Sequence, residues 1–174
     1  MDPHHIALIA DSGTLTHRAL ACETRALAQV LAIRYGVRRG GRGGFLLAAG
    51  VPAVLLVHAL AALRAVCIPL NTRLVAHELS SLLVRARPTL LVVDAAHAAL
   101  AEEALAASAL AAPDAGAVQR VSAEELIADA RRELPTDAAA GEAGADTQPH
   151  GDDADASTDM QTILFTSGTT GRPR

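Results

Sequence analysis

Nine consecutive residues, Thr166, Ser167, Gly168, Thr169, Thr170, Gly171, Arg172, Pro173 and Arg174, combine four hydroxyls with two glycines, two arginines and a proline. Phosphate oxygens need donors that approach closely and from several directions. Gly168 and Gly171 let the backbone bend so that its N–H groups turn inward, as in anion-binding nests. The hydroxyls of Thr166, Ser167, Thr169 and Thr170 can donate to phosphate or contact a bound Mg2+. Pro173 stiffens the exit, and Arg172 or Arg174 adds positive charge. The pattern is not GxxxxGK followed by Ser or Thr, so the likeness to a P-loop is one of chemistry and not of fold. Taken as composition alone, the same residues also describe a solvated tail.

The rest of the chain must position that loop. Residues 162–165 read as a strand that delivers the chain into it, and strand ends are where α/β folds place ligands. Upstream, residues 6–10 form an apolar run closed by Asp11-Ser12-Gly13, with Thr14-Leu15 as a return strand. Thr16 can cap a helix to about Tyr35, with Leu20, Leu27, Val30 and Leu31 on one side and Gly36 as the stop. RRGGRGG, residues 38–44, reads as a loop. Residues 45–48 follow as a strand, 52 to about 64 as a helix, and 65–68 as a strand ended by Pro69. AHELSSLLVRA has helical spacing and stops before Pro88, and residues 90–93 are an all-apolar strand buried on both faces. An Ala-rich helix over 95–110 and a strand over 118–121 complete the alternation. Ser122 with Glu125 then forms a capping box for a helix that turns Leu126 and Ile127 inward and ends at Arg131-Arg132. Strands alternating with helices predict an α/β fold, a mostly parallel sheet flanked by helices.

Composition narrows the class. The 174 residues are long enough for a sizeable core, and half of them are apolar, mostly Ala, Leu and Val. All fifteen basic residues are Arg, and the formal charge is -4. The acidity is localised: residues 137–159 hold seven acids and no base, whereas residues 1–134 are nearly neutral. Residues 135–159 contain no large apolar side chain and read as an acidic flexible linker or loop. Net acidity argues against a nucleic-acid partner, and RRGGRGG beside Tyr35 lacks the aromatic platform that RNA binding would use. Cys22 and Cys67 make neither a metal spacing nor a disulfide framework, which fits a reducing, cytoplasmic setting. No secretory signal is expected in MDPHHIALIADSG. Residues 45–63 are uncharged for nineteen positions, but Gly50, Val51 and Pro52 interrupt them and His58 lies within. A buried strand, turn and helix are expected there, and no membrane span. His4, His5, His17, His58, His77 and His97 show no ligand spacing on one face. Asp152, Asp153 and Asp155 lack the Gly and Glu of a Ca2+ loop.

The order of residues in ILFTSGTTGRPR adds a resemblance. It is similar to the phosphate-loop signature Y/F-TSGTTGxPK of the adenylate-forming superfamily: acyl-CoA synthetases, luciferases and nonribosomal peptide adenylation domains. TLTHRALA resembles the "lTyreL" segment of these enzymes, AVCIPLNTRLVAHELSSLL their "AVlvPLNtRLt..EL..lL", and RPTLLVVD the strand after it. The resemblance runs over nearly the whole chain. It implies the first part of the large N-terminal domain of adenylate-forming enzymes: residues 1–134 as an α/β subdomain, 135–159 as the linker, and 160–174 as a strand plus a truncated ATP phosphate-binding loop. VHALAALRAVCIPLNTRL together with MQTILFTSGTTG is most similar to 2-succinylbenzoate–CoA ligases of menaquinone synthesis, while fatty-acid and aryl-acid CoA ligases use nearly the same strings.

The resemblance implies a two-step reaction. A carboxylic acid attacks the α-phosphate of ATP to give an acyl-adenylate and pyrophosphate, and the thiol of coenzyme A then displaces AMP. Thr166, Ser167, Gly168, Thr169, Thr170, Gly171 and Arg174 carry over as ATP phosphate-binding residues, with Mg2+ helping to neutralise the pyrophosphate. Three departures stand out. Arg174 falls where the family has Lys, which keeps charge but not the compact ammonium. Gly41 and Gly43 replace Asp and Val in the family's "GDRVALLLpNsP", and Arg64 stands where a Gly precedes the AV of a strand. The family's adenine-binding segment, Thr-Glu pair, ribose-binding Asp and catalytic Lys would follow the loop. No catalytic residue is therefore assigned among these 174, and the chain alone is expected to be inactive in ATP–pyrophosphate exchange. A non-catalytic nucleotide-binding module is the alternative.

Overall fold

The computed structural model describes residues 2–11, 13–134 and 161–165. It opens with a hairpin, β1 (Ile6–Ala10) paired antiparallel with β2 (Gly13–Thr16). Gly13 takes a φ of +124°, a conformation that a Cβ disfavours. The Thr16 hydroxyl accepts the Ala19 N–H at 3.2 Å and starts α1 (His17–Arg34). Leu27, Val30 and Leu31 of that helix are buried, and Gly36 turns the chain away with a φ of +66°.

Four parallel strands form the main sheet: β3 (Arg42–Leu46), β4 (Val66–Pro69), β5 (Leu90–Val93) and β6 (Gln119–Ser122), in spatial order β4-β3-β5-β6. Each crossover is helical, through α2 (Val51–Ala62), α3 (Ala76–Ala86) and α4 (Ala98–Ala111), and α5 (Ala123–Arg132) follows β6. Strand residues alternate between two apolar clusters. Phe45, Cys67, Leu90 and Val92 join α1, α2 and α5 on one face. Leu46, Val66, Ile68, Leu91 and Val93 join α3 and α4 on the other. A parallel sheet covered by helices on both faces accounts for the unbroken apolar run of β5. The expected α/β architecture is observed.

Two expectations need correction. RRGGRGG is not a loop throughout, because β3 begins at Arg42 and Gly43 and Gly44 are buried strand residues. A Cβ built on Gly43 would stand 2.7 Å from Leu60 Cδ2, and one on Gly44 would stand 3.3 Å from Leu91 Cδ1. The glycines fit because neighbouring leucines fill the space their own side chains would take. The Ala-rich segment starts later as an α-helix than expected. Ala95–His97 is a 3-10 turn capped by the Asp94 carboxylate, which accepts the His97 N–H at 3.0 Å.

Arg64 and Arg87 are non-glycine residues with positive φ, +52° and +48°. Arg64 closes α2. Its N–H donates to the Ala61 carbonyl at 2.9 Å, and its own carbonyl accepts the Gly40 N–H at 2.9 Å. The position where the resembled family carries Gly is thus a left-handed one. Ion pairs fix α5 to α1: Arg34 pairs with Asp129 and, at 3.7 Å, with Glu133, and Arg131 pairs with Glu23 at 3.1 Å. Among the described residues no helix is long and apolar enough to cross a membrane.

Candidate functional site at the carboxyl edge of the sheet

In a parallel sheet the loops leaving the carboxyl ends converge on one edge. The root of the hydroxyl-rich loop lies on this edge. Gln161–Phe165 runs parallel to β4 through one bridge, Thr162 to Cys67. The Cys67 N–H donates to the Gln161 carbonyl at 2.8 Å, and the Ile163 N–H donates to the Cys67 carbonyl at 2.9 Å. Of the strand expected over 162–165, one isolated bridge at Thr162 forms, and residues 163–165 are not strand. Ile163 and Phe165 pack into the cluster of α3 and α4, while Leu164 is 67% exposed on the opposite side. The guanidinium carbon of Arg85, on α3, lies 5.9 Å from the centre of the Phe165 ring, within cation–π range.

Thr166 follows directly. The residues expected to hold phosphate, Thr166, Ser167, Gly168, Thr169, Thr170, Gly171 and Arg174, lie outside the described residues, as does the acidic stretch 135–159.

A second group of side chains organises the same edge, and sequence reasoning missed it. Asp94 follows β5. Its Oδ2 accepts the Ala48 N–H at 2.8 Å, and its Oδ1 accepts the His97 N–H at 3.0 Å and meets His97 Nδ1 at 2.5 Å. Glu124, at the start of α5, accepts the Ala95 N–H at 3.1 Å on Oε1 and the Ser122 hydroxyl at 2.9 Å on Oε2. Partial burial pushes the Asp94 carboxyl up. The Ala48 amide, the His97 ring and its charge, and the His97 amide outweigh that and hold it below the ordinary aspartate value. Glu124 is held below its ordinary value chiefly by the Ala95 amide, then by its own amide and the Ser122 hydroxyl. The signal for Asp94 was available: an Asp just after a strand, three residues before a His, is a helix-cap pattern.

Between the β3–α2 turn and α5 these contacts frame a cavity of about 700 Å3. Leu47, Ala49, Val51 and Ile127 give it apolar walls, and Asp94, Glu124 and Arg131 stand among them. Ser122 also accepts the Glu125 N–H at 3.3 Å and caps α5, so the expected cap is formed; the side chain that reaches back to Ser122 is Glu124.

The remaining polar candidates stay apart. His58 and His77 are exposed, and His17 is half-buried. Among the described residues no group of three or more His, Cys, Asp or Glu could hold a metal ion. Cys22 and Cys67 are free thiols, and burial pushes the Cys67 thiol up to about 11.

Comparison with known proteins adds to this geometry. The profile of one family, AMP-binding enzyme, matches residues 1–174. No curated protein matches the chain. Solved structures do. The inhibitor-bound N-terminal domain of FACL13 from Mycobacterium tuberculosis is 28% identical with a TM-score of 0.74, over 98% of this chain and 39% of that one. A fatty acyl CoA synthetase from Mycobacterium tuberculosis is 26% identical with a TM-score of 0.73, over 98% of this chain and 30% of that one. O-succinylbenzoate coenzyme A synthetase (MenE) from Bacillus subtilis, in complex with AMP, is 27% identical with a TM-score of 0.67, over 98% of this chain and 38% of that one. The chain thus spans between three and four tenths of the length of these relatives.

Proposed function

Since the chain belongs to the AMP-binding enzyme family, we propose that it is the nucleotide-phosphate-binding part of an acid–CoA ligase. One observation carries the reading. TSGTTGRPR directly follows a segment that pairs parallel with β4 and leads to the carboxyl edge of an α/β sheet. A loop leaving that edge with its N–H groups and hydroxyls turned inward would cradle the ATP phosphates. In that role Thr166, Ser167, Thr169 and Thr170 donate to phosphate oxygens, Gly168 and Gly171 permit close approach, and Arg174 contributes charge. Mg2+, when bound, would neutralise the pyrophosphate, and the hydroxyl oxygens of the loop are hard donors suited to it.

The substrate class is a small-molecule carboxylic acid, with coenzyme A as the acceptor. The likeness to the MenE structure and the strings shared with 2-succinylbenzoate–CoA ligases support that acid as a candidate, and hence a place in menaquinone synthesis. The FACL13 and fatty acyl CoA synthetase structures, at similar identity, support a fatty acid equally. The chain has no lysine, so the lysine-dependent chemistry of the family is not available to these 174 residues.

Calorimetric titration with Mg-ATP tests the reading. Saturable binding is expected for the chain and is lost in the Thr169→Ala, Thr170→Ala double variant, while ATP–pyrophosphate exchange stays at background. Binding that survives unchanged in the folded double variant would refute the phosphate-loop assignment. Exchange by the 174-residue chain would refute its inactivity. A reading frame that continues past codon 174 with the Thr-Glu and ribose-Asp segments would allow acid-dependent exchange to be measured with 2-succinylbenzoate, fatty acids and aryl acids.

A further inference from the structure

The turn between β3 and α2, Ala48-Ala49-Gly50, forms one wall of the 700 Å3 cavity yet carries no polar side chain of its own. Its tether comes from elsewhere. The Ala48 N–H donates to Asp94 Oδ2 at 2.8 Å, while Asp94 Oδ1 is engaged with the His97 amide and ring. One residue further on, the Ala95 N–H donates to Glu124 at 3.1 Å, and Glu124 also holds the Ser122 hydroxyl. Two carboxylate oxygens, Asp94 Oδ2 and Glu124 Oε1, thus link the connections that leave β3, β5 and β6, while Asp94 Oδ1 and Glu124 Oε2 are held within their own connections.

We propose that Asp94 and Glu124 form a two-carboxylate tie that positions the Ala48–Gly50 turn relative to α5, so that the cavity takes its shape from the end of β5. Asp94 is a positioning residue that acts through the Ala48 amide. Among the described residues, the charged and titratable groups around it are His97 on its own connection, and Glu124 and Arg131 on α5, with Arg131 paired to Glu23. The turn itself contributes none. Hydrogen bonds to an ionised carboxylate are stronger than those between neutral groups, so the tie depends on the charge of Asp94 and not only on its shape. The inference does not rest on the ligase reading, and failure to bind nucleotide would leave it standing.

Amide NMR and hydrogen exchange on the 174-residue chain test it. In the wild type the Ala48 amide proton shift is expected to titrate with a midpoint below the ordinary aspartate value of about 3.9. The Asp94→Asn variant should lose that titration. Asp94→Ala should speed exchange about tenfold or more at Ala48, Ala49 and Gly50, with Gly44 and Val92 in the sheet unchanged. Glu124→Ala should speed exchange at Ala95 and leave the Ala48 titration in place. An Ala48 shift insensitive to pH would overturn the proposal without any variant. So would exchange that rises equally in turn and sheet, because Asp94 would then serve global stability alone.

Discussion

Gly43 lies beneath Leu60: a Cβ on the glycine would stand 2.7 Å from one δ-methyl of the leucine and 3.1 Å from the other. Leu60 is buried on α2, and its branched end occupies the volume that a side chain at Gly43 would claim. The sheet and the helix meet through this pair, with the bulk all on one side.

Gly43→Val, which installs the residue the resembled family carries, is therefore expected to destabilise the fold by about 1–3 kcal/mol through overpacking. Leu60→Ala alone should cost about 2–5 kcal/mol as a cavity. The double variant should be less destabilised than the sum of the two, and urea denaturation of the four proteins measures this coupling. Additive losses would show that the two side chains do not compete for one space.

Arg64 has a φ of +52°. Glycine meets no Cβ penalty there, and a β-branched residue meets the largest. Stability should rank Arg64→Gly above the wild type and Arg64→Val below it, with the glycine gain at about 1 kcal/mol or less. Thermal denaturation gives the order. A wild type more stable than the glycine variant would mean that the interactions of the Arg64 side chain outweigh its backbone strain.

Burial pushes the Cys67 thiol up to about 11 from its ordinary value of 9.0. Below pH 9 the thiol is neutral in both folded and unfolded chains. As pH rises from 9 toward 11, the unfolded chain ionises first, so the contribution of Cys67 to stability falls over that window. Cys67→Ala should flatten this alkaline decline. At neutral pH iodoacetamide should label the half-buried Cys22 ahead of Cys67. Equal labelling rates under native conditions would contradict the buried placement of Cys67.

Ser122 caps α5 by accepting the Glu125 N–H and also holds Glu124. Ser122→Ala is expected to cost about 1 kcal/mol, and Ser122→Asp should keep the cap. Fluorescence-monitored urea curves would need a reporter in this chain without tryptophan, so far-UV circular dichroism is the suitable probe.

Much of this fold was legible. α3 over Ala76–Ala86 and β5 over Leu90–Val93 fall where periodicity and Pro88 put them, because apolar spacing and a chain-breaking residue act locally. The start of β3 was not legible. RGG reads as a turn in any local window, and only pairing with the distant strands β4 and β5 makes it a strand. Asp94 was missed for a related reason. The acid could be seen, but its partner Ala48 lies 46 residues away and offers only a backbone N–H, which leaves no trace in the sequence. Of the candidate site, the loop from Thr166 onward rests on the sequence and lies outside the described residues, and the structure supplies the segment before it, up to Phe165.

The bridge between Cys67 and Thr162 joins segments roughly a hundred residues apart along the chain, whereas β3, β4, β5 and β6 are each connected through a single helix. Contacts of such long sequence separation form slowly compared with those closed through one helix. The root of the hydroxyl-rich loop should therefore be among the last parts of the sheet to assemble as the chain folds. The pairing of that segment with β4 would arise as a late event, after the scaffold beneath it is already in place.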